Sequence, residues 1–336
     1  MTIRMHLRAD SYDILVERGL LTQAKEHLNL NRRVLVVTDS GVPAAYAQTV
    51  ADQCADSVIC TLPEGEESKS LTTLEHLLQT MLDHGFSRRD CVVAVGGGVV
   101  GDVAGFAASA YMRGVDFYNI PTTLLSQIDS SIGGKTAINF GGVKNIVGAF
   151  YQPQKVLIDP ALLSTLPPRQ VSNGLAEAIK MALTCDEELF ALIENEDIES
   201  RIDEIILRSL SIKKNVVERD EKEAGLRKIL NFGHTIGHGI ESCSDLYHGE
   251  CVALGMLPMC GESIRPRVLA VLKKCGLYRG MEYDWDTIAA ATLHDKKADG
   301  DAVTAVTVDT VGRYGMQTMS CSAIMERAKN CLEGLK

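Results

Sequence analysis

Three of the chain's eight histidines crowd into residues 231–250, in Asn-Phe-Gly-His-Thr-Ile-Gly-His-Gly-Ile-Glu and then Tyr-His-Gly-Glu. His234 and His238 stand four apart, so a helix would present both on one face, and His248 follows a short break. Neutral imidazole is the usual protein ligand for zinc-like ions, and such a pair is a common way to offer it. In Gly-Leu-Ala-Glu-Ala-Ile-Lys, Glu177 could add a hard oxygen. One carboxylate with two imidazoles and open positions is the ligand set of a catalytic divalent metal. The same residues also suit plainer roles. A histidine pair fits a polar helix face, and Glu177 with Lys180, one turn on, fits a surface ion pair.

Two glycine-rich stretches invite a phosphate. Gly96-x-Gly98-x-x-Gly101 follows an apolar run and is followed by Asp102, the context in which a pyrophosphate meets a helix N-terminus. A tight strand-to-helix turn explains the same glycines. The turn is also absent from the first β–α unit, where a dinucleotide fingerprint normally sits. Ser-Ser-Ile-Gly-Gly-Lys-Thr, residues 130–136, lacks the first glycine of a phosphate loop, because Asp129 holds that position and would repel the phosphates. An ATPase is therefore excluded. Lys135 and Lys144-Asn145 still read as groups displayed on glycine-rich loops and suited to anions. Lys213, Asp220, Glu223 and Arg227, taken alone, read as a solvated charged face.

These residues need a scaffold. At 336 residues, with 46% hydrophobic and 23% charged, the chain suits two globular domains. A net charge of −10 argues against a nucleic-acid partner. The N-terminus has no apolar signal run, and residues 91–110 are interrupted by Asp102 and hold five glycines, so no membrane span is expected. Ten dispersed cysteines without a Cys-x-x-Cys pair read as reduced thiols, which places the protein in the cytoplasm. Residues 3–16 look like edge strands and Arg33–Asp39 like a buried parallel strand. A helix over 43–53, a strand at 57–62, a helix over 68–84 and a strand at 91–95 complete a doubly wound α/β pattern. Past Pro167-Pro168 the periodicity is helical through residue 260, and 199–217 contains no Gly or Pro. The expected boundary divides 1–160 from 161–336. Residues 302–308 are the only strand-like run in the second half, and Pro258 and Pro266 interrupt what could have been one long helix.

From about residue 34 to 300 the chain resembles the 3-dehydroquinate synthases. The resemblance rests on Gly-Gly-Gly-Val-Val-Gly-Asp, Tyr-Met-Arg-Gly, Pro-Thr-Thr-Leu-Leu-Ser-Gln-Ile-Asp-Ser-Ser-Ile-Gly-Gly-Lys-Thr, Lys-Asn-Ile-Val-Gly-Ala-Phe-Tyr-Gln-Pro, Gly-Leu-Ala-Glu, Leu-Asn-Phe-Gly-His-Thr-Ile-Gly-His and His-Gly-Glu, in family order. It implies a Rossmann-like NAD-binding domain followed by a mainly helical metal- and substrate-binding domain, with the active site in the cleft between them. NAD would be held by Asp39, Glu66, Lys69, Gly96, Gly97, Gly98, Asp102, Thr122 and Thr123, and by a turn from Leu162 to Thr165. Glu177, His234 and His248 would hold zinc or cobalt, leaving His238 off the metal. The substrate would be 3-deoxy-D-arabino-heptulosonate 7-phosphate. Its contacts would be Arg113, Asp129, Lys135, Lys144, Asn145, Asn173, Lys180, Lys213, Arg227, Asn231 and Lys296, with Lys297 an adjacent alternative to the last.

The implied reaction oxidises a ring hydroxyl with NAD, which acidifies the neighbouring C–H. Phosphate is then eliminated, the ketone is reduced again, and the opened ring recloses by an aldol step. His238 and Glu223 are the candidates for proton transfer, with Lys135 and Arg227 alongside them in the catalytic group. The basic side chains would neutralise a carboxylate and a phosphate in an otherwise acidic protein. A homodimer is implied by the resemblance alone. The rivals are another sugar-phosphate cyclase, a metal-dependent polyol dehydrogenase, and a catalytically silent binding module.

Overall fold

A computed structural model describes the chain except for residues 9, 281, 297–301 and 336 and the side chains of 293–296 and 302. It divides into two units, residues 1–167 and 168–336. In the first lie β1 (Thr2–Met5), β2 (Tyr12–Val16), α1 (Ala24–His27), β3 (Arg33–Asp39), α2 (Ala44–Ala51), β4 (Asp56–Leu62), α3 (Leu71–Asp83), β5 (Cys91–Gly96), α4 (Gly98–Ala110), β6 (Asp116–Pro121), β7 (Lys135–Phe140), β8 (Val143–Phe150) and β9 (Lys155–Ile158). A seven-stranded sheet runs β1-β2-β9-β6-β5-β3-β4, parallel throughout except where β1 meets β2.

The central strands are apolar on both sides because both faces are covered. Val34 and Val36 of β3, with Val93 and Val95 of β5, pack with α2 residues such as Val50. Leu35, Val37, Val92 and Ala94 point the other way, against Leu77 and Met81 of α3 and Val100 and Val103 of α4. Continuous Val-rich runs are the mark of such doubly covered strands. The expectation of edge strands over 3–16 needs correction. Of the two strands in that stretch, β1 is an edge and β2 is not, because β2 pairs with β9 on its other side.

The two lysine-bearing segments are not loops either. Lys135 opens β7, while Lys144 and Asn145 lie in β8, the partner strand of an antiparallel hairpin. Gly141 and Gly142 make its turn with φ of +59° and +80°, the left-handed pair that a two-residue hairpin of this hand requires.

The second unit contains α5 (Pro168–Cys185), α6 (Glu187–Asn195), α7 (Ile198–Arg219), α8 (His234–Glu241), α9 (His248–Met259), α10 (Arg265–Lys274), α11 (Trp285–Lys296), β10 (Ala302–Thr310), β11 (Arg313–Ser320) and α12 (Cys321–Glu333). Helices α8 and α9 cross at backbone contact. A Cβ on Gly255 would lie 2.0 Å from the Gly233 carbonyl oxygen, so a larger residue cannot stand there. Pro266 sits in the first turn of α10, where a missing N–H does least harm, whereas Pro258 lies inside the last turn of α9 and removes one intrahelical bond there. Strand β10 is not alone, because β11 pairs with it in a hairpin. No helix among the described residues is long and apolar enough to cross a membrane.

Candidate functional site

Helix α5 carries Glu177 into the interior of the second unit, where its residue is 0% exposed. A buried carboxylate must be compensated, and Lys180, one turn further and itself buried, pairs with Oε2. The other oxygen, Oε1, is buried without a hydrogen-bond partner. His234, the first residue of α8, and His248, the first of α9, each bring Nε2 to 3.6 Å from that Oε1. This separation is too long for a hydrogen bond and leaves room for an ion between the atoms. The three residues offer ligand atoms that all lie within 4.8 Å of one another. Residues 177, 234 and 248 are thus brought together. The reading of Glu177 and Lys180 as a surface pair is excluded by their burial.

The electrostatics follow from this arrangement. Burial opposes charge on Glu177, but the Lys180 ammonium and then the imidazoles outweigh it and hold the carboxyl well below its usual range. Burial, and next the Lys180 cation, push the His234 imidazole well below its ordinary value. For His248 burial also acts downward, but the carboxylates of Glu177 and Glu241 overcome it and raise the imidazole to about 9.

Around this set, the solvated charged face expected from the sequence does not form. Lys213 on α7 is buried at 5% exposure and Arg227 at 2%. Arg227 donates Nη1–H to the Glu221 carbonyl at 2.6 Å, and Asp220 collects the backbone N–H groups of Ala224, Gly225 and Arg227 at 2.7–2.9 Å. Asn231 donates to Glu223 Oε1 at 2.8 Å, and Glu223 has φ +60°. Asn173 accepts the Gly249 N–H on Oδ1 at 2.6 Å, tying α5 to the start of α9. His238 is exposed on α8, its ring centroid 5.3 Å from that of His234 and 5.9 Å from that of His248. The side chain of Lys296, and Lys297 as a whole, lie outside the described residues.

In the first unit, β5 ends at Gly96 and α4 begins at Gly98, with Gly97 at the N-cap and no side chain accepting from the helix. Backbone donors at an uncapped N-terminus are suited to an anion. Close packing is present as well, since a Cβ on Gly97 would lie 3.1 Å from the Thr123 methyl carbon. Lys69, 5% exposed, donates Nζ–H to Asp102 Oδ2 at 2.7 Å and to Asn145 Oδ1, with Glu66 Oε1 at 3.8 Å. Thus Glu66, Lys69, Asp102 and Asn145 converge. Asp39 accepts from the N–H groups of Gly41 and Val42 at 2.9 and 3.2 Å, and burial raises its carboxyl. Thr122 donates N–H to the Gly96 carbonyl at 2.9 Å, Thr123 Oγ1 accepts from Ser126, and Thr165 Oγ1 lies 2.9 Å from Tyr46 Oη. Leu162 is buried, and Asp129 lies in the turn of Ser126–Ser130. Lys135 and Lys144 are exposed on the hairpin, and Arg113 is exposed with φ +70°.

Sequence reasoning missed three partners. Asn139 donates to Glu66 Oε1 at 3.0 Å and accepts the Asn145 N–H at 2.9 Å. Glu241 Oε2 lies 3.2 Å from His248 Nδ1. Glu250, fully buried, accepts from Arg169 Nε and Nη2 at 2.9 and 2.8 Å and from Arg279 Nε at 2.6 Å. Glu250 stands third in a helix that His248 opens, the capping-box position, and that spacing was a usable signal. Glu241, three residues after His238, had none.

Two family models match the chain and meet within α5. Residues 59–173 match the family model described as 3-dehydroquinate synthase N-terminal, and residues 174–298 match 3-dehydroquinate synthase C-terminal. The chain is 40% identical over 326 residues to the 3-dehydroquinate synthase of Sulfurovum sp. (strain NBC37-1), covering 92% of this chain and 91% of that protein. Among solved structures it is similar to 2-deoxy-scyllo-inosose synthase complexed with carbaglucose-6-phosphate, NAD+ and Co2+, at 27% identity and a TM-score of 0.89, covering 99% of this chain and 100% of the other. It is also similar to ValA, the 2-epi-5-epi-valiolone synthase from Streptomyces hygroscopicus subsp. jinggangensis 5008 with NAD+ and Zn2+ bound. There the identity is 29% and the TM-score 0.88, covering 98% of this chain and 99% of the other.

Proposed function

The chain belongs to the 3-dehydroquinate synthase family, and from that premise we propose which of its residues do the work. It is an enzyme, a carbon–oxygen lyase of the shikimate pathway that converts 3-deoxy-D-arabino-heptulosonate 7-phosphate to 3-dehydroquinate and phosphate. NAD and a divalent ion, zinc or cobalt, are its cofactors. When bound, they supply a hydride acceptor that later returns the hydride and a Lewis acid that polarises the substrate's oxygens.

The observation that carries the metal assignment is Glu177 Oε1, an ionised oxygen buried without a hydrogen bond and facing two imidazole nitrogens at 3.6 Å each. An atom in that state is costly unless a cation occupies the space before it, so the donor set fits the ion. Glu177, His234 and His248 hold the metal. For NAD, the uncapped start of α4 and the small residues Gly96, Gly97 and Gly98 fit a pyrophosphate. Asp39, Glu66, Lys69, Asp102, Thr122, Thr123, Leu162 and Thr165 complete that subsite.

The remaining work falls to protein groups. Lys180, Lys213 and Arg227 are cations kept from water, which makes their attraction for a carboxylate or phosphate stronger than that of surface lysines. Arg113, Asp129, Lys135, Lys144, Asn145, Asn173, Asn231 and Lys296 are the further substrate contacts. His238 is solvent-accessible beside the ligand set, as a group that passes protons must be. Glu223 is the second proton-transfer candidate, held by Asn231. Two features support assigning residues 1–160 to NAD and 161–336 to metal and substrate: the uncapped helix start lies in the first and the ligand set in the second. A homodimer in the cytoplasm completes the proposal.

The test is phosphate release from the heptulosonate phosphate with NAD, with and without a chelator. Release that stops on chelation and resumes with zinc or cobalt, with no net absorbance at the NADH band, is expected. Steady NADH accumulation would indicate a dehydrogenase. Release only from a different sugar phosphate would indicate another cyclase.

A further inference from the structure

His248 is held at both ends of its ring. Its Nε2 faces Glu177 Oε1 at 3.6 Å, and its Nδ1 faces Glu241 Oε2 at 3.2 Å. The backbone beneath the ring is already fixed. The Tyr247 N–H goes to Glu250 Oε2 at 2.9 Å, the Gly249 N–H goes to Asn173 Oδ1 at 2.6 Å, and Arg169 and Arg279 clamp Glu250 in place. What these bonds leave undetermined is the orientation of the imidazole and which nitrogen carries the proton. A neutral imidazole has one N–H, and only the other nitrogen has a lone pair for a metal.

We infer that Glu241 is a positioning residue. Its carboxylate, on the last turn of α8, accepts Nδ1–H of His248 and so commits Nε2 to the metal, an inference that rests on the metal reading above. His234 is set in the same sense by a different acceptor, since its Nδ1 lies 3.2 Å from the Phe232 carbonyl oxygen. The two rings thus present the same nitrogen to one carboxylate oxygen, one oriented by backbone and the other by Glu241. Such outer partners raise ligand basicity, and their loss weakens metal binding by about 10–100-fold.

A competing use of Glu241 exists. His238, Glu241 and His248 also offer ligand atoms within 4.8 Å of one another and could take an ion of their own. With Nε2 committed to the first ion, that second ion would have to draw on His248 through Nδ1, the nitrogen that Glu241 faces. A neutral ring bonded through Nε2 carries its proton on Nδ1, so the second ion is disfavoured while Glu177 and His234 hold the first.

The experiment uses the full chain and its Glu241→Ala, Glu241→Gln and His234→Ala variants. Three quantities are read without substrate: cobalt stoichiometry, cobalt affinity by competition with a chelator, and the visible ligand-field spectrum. One ion per chain is expected in wild type and in both Glu241 variants. Affinity should fall by about 10–100-fold in Glu241→Ala with an altered spectrum. Glu241→Gln, which keeps an acceptor of the same shape, should recover part of both. Unchanged affinity and spectrum in Glu241→Ala would overturn the positioning role. Two ions in wild type falling to one in Glu241→Ala would overturn it in favour of direct ligation. Cobalt bound with full affinity by His234→Ala would instead strike down the metal reading itself.

Discussion

His234 and His238 lie on the same face of α8, so helical spacing alone gives them equal title to an ion. What separates them is the third partner. Glu177 Oε1 lies 3.6 Å from His234 Nε2, whereas His238 is exposed and shares a cluster with Glu241 and His248. His234→Ala should therefore lose metal and turnover together. His238→Ala should keep one ion per chain and lose about 10²–10⁴-fold in turnover, read by metal content and phosphate release. Equal metal loss in both would refute the division. The acidity of His248 gives a second expectation. In the metal-free chain its carboxylate neighbours raise it from an ordinary 6.5 to about 9, so below 9 the incoming ion must displace a proton. A raised value also means that this proton stabilises the metal-free fold, fully below 6.5 and no longer once pH has passed 9. Apparent metal affinity should climb by up to about tenfold per pH unit across that window and level off above it. Calorimetry in buffers of different ionisation enthalpy reads the released proton, and affinity that stays flat from 6.5 to 9 would contradict the account.

The elements differ in how far they could be foreseen. β3, β5 and α7 were legible because burial imposes a pattern: apolar alternation toward two covered faces, or a helix-period stripe without Gly or Pro. β8 and β11 were not, since six of the eight residues in each strand are exposed, and an exposed hairpin strand has no hydrophobic period to read. The site followed the same logic. Residue types and spacing revealed the histidines and Glu177, but the choice between His234 and His238 depends on how α5, α8 and α9 meet, which no local pattern encodes. Helix α9 is anchored where it matters, because Glu250 caps its start and takes both Arg169 and Arg279. Glu250→Gln should cost about 2–3 kcal/mol through the weakened cap and charge-assisted bonds, and should weaken metal binding because His248 opens the same helix. Thermal unfolding and chelator competition check the two effects. A destabilised variant with unchanged metal affinity would show that the clamp serves the fold alone.

On the scale of the whole chain, the two units can be followed separately. The sole tryptophan, Trp285, lies on α11 in the unit that carries the ligand set, so its fluorescence reports that unit. Metal at about 100 times its dissociation constant should stabilise it by roughly 2.7 kcal/mol, moving the tryptophan-reported midpoint by about 5–10 °C. Chelator should reverse the shift, and a midpoint indifferent to both would place the ion elsewhere. The pairing of Lys180 with Glu177 has a further effect. Because Lys180 already cancels Glu177, the only formal charge among the ligands, and Glu241 beyond His248 offsets just one charge more, a divalent ion arriving there leaves the site net positive. In a protein carrying −10 overall, the occupied pocket becomes an island of opposite sign. Stripping the ion would therefore do more than remove a Lewis acid: it would flatten the electrostatic well that draws an anionic sugar phosphate out of solution.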